Sequence, residues 1–171
     1  RSVCDERQLR TPYVAVDESR RALLAEASLK SFDFIVYSPA GDNLLVDVKG
    51  RRFPTVSATG NHCWENWATR DDILSLLEWQ QVFGGGFVSA LVFAYDLQGE
   101  RWYDQHPERF IFRDRTFAFY AVAVDDFAAA MVQRSAQWDT MSLPAAEFRR
   151  MRRPLSALLG RPSASSLVST G

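Results

Sequence analysis

The chain has 171 residues, 47% of them hydrophobic and 13% aromatic, enough for one compact domain with its own core. Its formal net charge is −1, so no global basic field announces a nucleic-acid partner, although a local patch suffices for one. No apolar run reaches the length of a membrane span, nothing resembles a signal peptide, and Cys4 and Cys63 have no metal spacing. A reduced, cytoplasmic setting without a membrane is the expectation, with a single disulfide between the two cysteines left open.

In chain order, residues 1–10 read as the end of a helix, Tyr13–Val16 as a short strand and residues 19–27 as a helical turn. Strand-like runs at 31–37 and 44–53 flank Pro39-Ala40-Gly41-Asp42-Asn43, which is turn chemistry, so the two form a hairpin. Residues 54–68 read as an aromatic loop. Thr69 is an N-cap with Asp72 three residues on, opening a helix through Phe83 that Gly84-Gly85-Gly86 stops. Helix, glycines, strand is the reverse of the order in a phosphate-cradling loop. A buried strand at Phe87–Tyr95 follows, then a strand pair at Phe110–Phe112 and Thr116–Val124. Asp125 caps a helix to about Gln133, and short helices start at Ser142-Leu143-Pro144 and at Pro154. No repeat is present, so a single domain is expected over residues 1–159, with only the end of a first helix at residues 1–10 and a flexible Ser-rich tail at residues 160–171.

The hairpin holds the most informative residues. Leu45, Asp47 and Lys49 share a face of the second run, and any register within a residue of centre puts Asp33 beside Asp47 or Lys49. Carboxylates held close on a sheet repel and need a counter-charge, for which Lys49 and a hard divalent cation are the natural choices. Of 20 basic residues only Lys30 and Lys49 are lysine, so a lysine in a strand hints that a compact, tunable ammonium is wanted there. An ordinary strand-end ion pair is the competing reading of Lys49.

Ser31-Phe32-Asp33-Phe34, a turn, then Leu45-Val46-Asp47-Val48-Lys49-Gly50 resembles the active-site hairpin of the PD-(D/E)xK, restriction-endonuclease-like nucleases, including Holliday-junction resolvases. Phe32 stands where the eponymous proline would be. From about Tyr13 to Leu159 the chain also looks similar to the uncharacterised HYExAFE family, through Pro12-Tyr13-Val14-Ala15-Val16-Asp17-Glu18, Leu44–Gly50 and Trp64-Glu65-Asn66-Trp67, although the His-Tyr-Glu motif itself is absent. The nuclease resemblance implies a three-layer α/β fold with a mixed central sheet flanked by helices. It implies Asp33 and Asp47 as ligands of Mg²⁺ or Mn²⁺, Lys49 as a catalytic lysine, and metal-dependent hydrolysis of a nucleic-acid phosphodiester, with DNA as the expected partner. In nuclease folds of this kind a polar residue on the next helix points inward, a position that Gln80 matches.

Gln80 falls on the apolar stripe of Ile73, Leu76 and Leu77, where an amide must find partners; a partly exposed stripe edge is the alternative. Arg51 and Arg52 follow the lysine strand and are expected to contact phosphates. Arg149, Arg150, Arg152 and Arg153 read as a solvated helix face in preference to a second phosphate-binding group, and Trp64, Trp67 and Tyr103 as core-edge aromatics or base-stacking platforms. His62, Cys63 and His106 lack paired zinc spacing. A second class of function stays open: a non-catalytic nucleic-acid- or protein-binding module with Asp33 and Asp47 as structural ion-pair residues. The sequence is compatible with a homodimer.

Overall fold

The computed structural model describes residues 29–38, 41–56, 62–106 and 108–160. The elements expected at 1–10, Tyr13–Val16 and 19–27, the residue Cys4, and the tail from 161 onward lie outside these residues. The described chain is mixed α/β. Its main sheet uses β1 (Phe34–Val36), β2 (Asn43–Phe53), β6 (Phe87–Leu97), β7 (Phe110–Phe112), β8 (Arg115–Ala123) and β11 (Arg153–Pro154). The order is β1-β2-β6-β8-β11, with β7 paired to β8. Only β2 and β6 are parallel; the other pairs are antiparallel, so the sheet is mixed. Between β2 and β6 lie β3 (Thr55–Val56), β4 (His62–Cys63), β5 (Trp67–Thr69) and α1 (Arg70–Phe83). After β8 come α2 (Val124–Ala130), β9 (Val132–Ser135), β10 (Thr140–Ser142), α3 (Ala145–Met151) and α4 (Leu155–Leu158).

Alternation along β2 sorts its side chains. Leu44, Val46 and Val48 pack with Val92, Ala121, Leu155 and Leu158 on one face of the sheet. Leu91, Phe93 and Tyr95 of β6 pack on the other face with Ile73 and Leu76 of α1, Phe127 of α2 and Phe148 of α3. Asp47 and Lys49 belong to this second, helix-bearing face. Phe32 packs on the opposite side from Phe34 and Val36. It precedes the strand and packs edge-on against Trp79 and Phe83 of α1, at 5.4 and 5.9 Å between ring centroids.

The expected capping box is present: Thr69 Oγ1 accepts from Asp72 N (3.1 Å) and Asp72 Oδ2 accepts from Thr69 N (3.0 Å). Gly84 and Gly86, at φ 75° and 86°, turn the chain from α1 back into β6, a conformation that costs a Cβ-bearing residue energy. Arg113 and Asp114, both at positive φ, form the two-residue turn between β7 and β8.

The stretch read as a loop at 54–68 and the helix expected to reach Gln133 are both corrected. β5 pairs with β10, and β10 with β9, in a separate three-stranded sheet. The helix after β8 stops at Ala130, because Val132–Ser135 pairs with β10 instead. Strands of three or four residues leave too short a period for pattern reading. Asn66 fastens this region: its Nδ2 donates to Leu143 O (3.1 Å) and its Oδ1 accepts from Leu143 N (2.9 Å), with Asn66 buried.

His106 is buried against Phe53, Trp64 and Tyr120, its Nδ1 3.0 Å from the Tyr120 hydroxyl. Burial, with the positive charges of Arg152 and Arg109, pushes its pKa down to about 4.

Two predictions follow from this core. Asn66→Ala leaves two buried backbone groups of Leu143 unsatisfied and should lower the unfolding free energy by roughly 2 kcal/mol or more, read by urea denaturation. His106 stays neutral in the fold but titrates near 6.5 when unfolded, so between about pH 6.5 and 4 the unfolded state binds more protons. Its contribution is therefore complete above pH 6.5 and lost as pH falls towards 4, by up to about 3 kcal/mol. Urea unfolding at pH 7 and pH 4.5 should show this loss in the parent chain, and His106→Phe should remove its share of the pH slope.

Candidate functional site

Phe34 pairs with Val46, Ile35 with Leu45 and Val36 with Leu44; Asp33 lies just outside this ladder and bonds instead to Val46 and Val48, the two chain neighbours of Asp47. The juxtaposition of Asp33 and Asp47 expected from the hairpin is therefore present. Asp33 N donates to Val46 O (2.9 Å), and its Oδ2 accepts from Val48 N (2.7 Å), which holds the carboxylate against β2 at an exposed position. The Oδ1 atoms of Asp33 and Asp47 accept no hydrogen bond among the described residues.

Lys49 stands two residues beyond Asp47 on the same face. Its Nζ lies 2.8 Å from Asp47 Oδ2 and 2.8 Å from Asp72 Oδ2, all three side chains being largely buried. Asp72 reaches this point because the helix N-terminus that it caps sits over the end of β2. The same carboxylate accepts from Lys30 Nζ at Oδ1 (3.0 Å). Lys30 also donates to Thr69 Oγ1 (3.2 Å) and lies 3.3 Å from Asp71. Its backbone is fixed to α1 at both ends, with N donating to Ser75 Oγ (3.1 Å) and O accepting from Trp79 Nε1 (2.8 Å). Both lysines of the chain thus converge on Asp72.

The two inner carboxylates differ in character. Burial pushes the Asp47 carboxyl above its ordinary pKa; Lys49 opposes this, and the charges of Asp72 and Asp33 reinforce it. Burial works the same way on Asp72, but hydrogen bonds from Lys49, Thr69 and Lys30 outweigh it and hold its carboxyl well below the usual range. Lys30 is raised, chiefly by its hydrogen bond with Asp72. Asp72 is therefore a fixed anion, whereas burial leaves Asp47 the more readily protonated of the two despite its pairing with Lys49.

The remaining expectations separate. Gln80 does not join Lys49: its Oε1 accepts from Ser89 N (2.6 Å) and its Nε2 donates to Asp125 (2.7 Å). It lies eight residues beyond Asp72, about 12 Å along the helix, where it ties α1 to the start of β6 and to α2. Arg51 shares the face of Lys49, but its guanidinium is stacked 4.0 Å over Trp67 and donates to Gly50 O (2.8 Å) and Trp67 O, so it is a packing residue. Burial lowers its pKa. Arg52, exposed, points to the other face and lines a shallow recess with Asp96 and Arg115. Cys63 is a free thiol donating to Thr55 O (3.3 Å), and the side chain of His62 lies outside the described set. Among the described residues no group of three or more His, Cys, Asp or Glu is placed to hold a metal ion.

Asp72 and Lys30 are the site residues that pattern reading passed over. Asp72 was visible as the N3 member of the capping box, and Lys30 as one of only two lysines; nothing local says that they meet. Beyond Trp67 a cavity of about 470 Å³ opens between β4, β5, β10 and α3, lined among others by Cys63, Trp64, Glu65, Arg134, Arg149 and Arg152. Trp64 stacks on Phe53 at 3.9 Å and so belongs to the core edge. Among the described residues no helix is long and apolar enough to cross a membrane. No family model matches the chain, and neither a curated protein nor a solved structure matches it.

Proposed function

We propose that the chain is a metal-dependent nuclease hydrolysing a nucleic-acid phosphodiester, DNA being the favoured substrate, on a three-layer restriction-endonuclease-like α/β fold. The observation that carries this reading is the placement of Asp33, bonded to both chain neighbours of Asp47, with the Lys49 ammonium 2.8 Å from Asp47. The antiparallel β1–β2 hairpin, followed by a helix and a strand parallel to β2, supports the fold assignment.

The donor set suits a small hard cation. Mg²⁺ keeps several waters and takes one or two carboxylates, and Asp33 and Asp47 supply two with their Oδ1 atoms available among the described residues. The raised Asp47 carboxyl is what a site awaiting positive charge should show. Asp33 and Asp47 would hold Mg²⁺ or Mn²⁺, which when bound supplies charge neutralisation at the phosphate and acidification of the attacking water. Asp72 holds the Lys49 ammonium in place. Of three N–H donors on that ammonium, Asp47 and Asp72 take two, which leaves one for a phosphate oxygen or the attacking water.

One observation favours a second reading. Asp47, Lys49, Asp72 and Lys30 already form a continuous ion-pair chain between hairpin and helix, which a non-catalytic binding module would also use to hold its shape. Substitutions separate the two. Asp47→Asn keeps the side chain's shape; under the nuclease reading it should lower cleavage of DNA at least about a hundredfold and abolish the rise in melting temperature on adding Mg²⁺ or Mn²⁺. Unchanged cleavage in this variant, or a parent chain with no metal-induced rise, would defeat the assignment.

Lys49→Arg tests the lysine independently. A planar fork cannot replace a compact ammonium wedged between two carboxylates, so cleavage should be lost while the metal-induced melting shift survives. If Lys49 serves only as an ion pair, arginine should keep activity, with stability changed by no more than about 1 kcal/mol.

A further inference from the structure

Arg152 is placed unlike the arginines around it. Arg150 pairs with Glu147 at 2.6 Å, and Arg153 donates to the carbonyls of Arg150 and Arg152 at 2.6 and 3.1 Å; both are exposed, as a solvated helix face would be. Arg152 instead turns inward. Its guanidinium lies 4.0 Å from the Trp64 ring, 4.7 Å from Tyr120 and 5.6 Å from Phe148, within cation–π range of all three. The guanidinium itself makes no hydrogen bond and no ion pair among the described residues. Burial lowers its pKa, and the like charge of Arg149 adds to this.

The Arg152 guanidinium keeps its five donors open to the solvent side, with no protein acceptor among the described residues, so they are available to an anion entering from outside. The space beside it is the cavity of about 470 Å³, a size within the roughly 300–1,000 Å³ usual for small-molecule sites. Arg134 and Arg149 line the same cavity. Its one carboxylate, Glu65, is already engaged by Arg134 at 3.7 Å. Arg149 and Arg152 therefore face the cavity without a carboxylate, and its other walls mix apolar side chains, Trp64 and Phe148 among them, with the polar Thr55, Asn66 and Ser142. Guanidinium groups match the geometry of phosphate oxygens through paired N–H donors.

We propose that this cavity is a phosphate-monoester site, with Arg152 as its inner ligand and Arg149 and Arg134 at its rim. The phosphate is carried either by a free mononucleotide or by the 5′ end of an oligonucleotide. The assignment does not rest on the reading of Asp33, Asp47 and Lys49.

The test uses the full chain in metal-free buffer containing a chelator, so that binding is read without cleavage. Fluorescence anisotropy compares a single-stranded oligonucleotide bearing a 5′-phosphate with the same sequence bearing a 5′-hydroxyl, with AMP as competitor. A phosphate end bound at least tenfold more tightly than a hydroxyl end, or AMP binding measured directly by calorimetry, supports the site. Competition by AMP as strong as that by the phosphorylated oligonucleotide identifies a free mononucleotide as the ligand; preference for the oligonucleotide identifies a strand end. Arg152→Gln should abolish the phosphate preference. Should that variant fold poorly by circular dichroism, Arg149→Glu, a reversal at an exposed position of α3, should reduce the preference at least fivefold with packing intact. Equal affinity for both ends together with no AMP binding overturns the proposal, as does a phosphate preference that survives Arg149→Glu and a folded Arg152→Gln.

Discussion

Asp72 accepts hydrogen bonds from Thr69 on its own helix, from Lys49 on β2 and from Lys30 on the segment entering β1, so one carboxylate joins three parts of the chain. Each contact depends on the others. The capping box fixes the first turn of α1 and so fixes where the carboxylate points. That anion lets Lys49 lie largely buried beside Asp47, where an unpaired ammonium would be forced out or neutralised. Lys30 then draws the segment before β1 against the helix, with Phe32 packing on Trp79 and Phe83 to hold it. The placement of Asp33 against β2 follows from this chain of constraints, since its backbone continues directly from the anchored segment.

The roles of lysine and arginine divide along physical lines. Both lysines serve as compact point charges placed between carboxylates. The inward arginines do something that an ammonium does less well, which is to lay a planar, weakly hydrated cation on an aromatic face. Arg51 and Arg134 approach Trp67, at 4.0 and 5.2 Å from its centroid, and Arg152 covers Trp64. Lys30, which lies outside any strand, meets the same carboxylate as Lys49.

What could be read from the residues was what depends on local chemistry. The hairpin register, the Thr69–Asp72 cap, the glycine stop and the long strand after it each rest on a short-range rule, and each is present. The failures are of another kind. The sheet of β5, β9 and β10 joins segments some seventy residues apart in strands too short to show a period. Gln80 lies on the helix where the pattern places it, but an amide takes the nearest partners, and these are Ser89 and Asp125. Arg51 and Arg52 are neighbours in sequence, and for that reason a strand sends them to opposite faces. The convergence of Lys30 and Lys49 on Asp72 needs the helix placed on the sheet before it can be seen.

Trp67 stands between the two charged regions of the helix-bearing face. On one side, Arg51 stacks on it at the end of the row that contains Asp47 and Lys49; on the other, it lines the cavity of Arg134, Arg149 and Arg152. An anion approaching this face meets three carboxylates, Asp33, Asp47 and Asp72, against two lysines, and then three arginines against Glu65. By formal charge the first region is net negative and the second net positive. Arg51, held on Trp67, keeps its positive charge between the two regions, and Arg52 points to the opposite face. The field along the face therefore has a direction, set by a tryptophan that both an arginine of the strand and an arginine of the cavity lean upon.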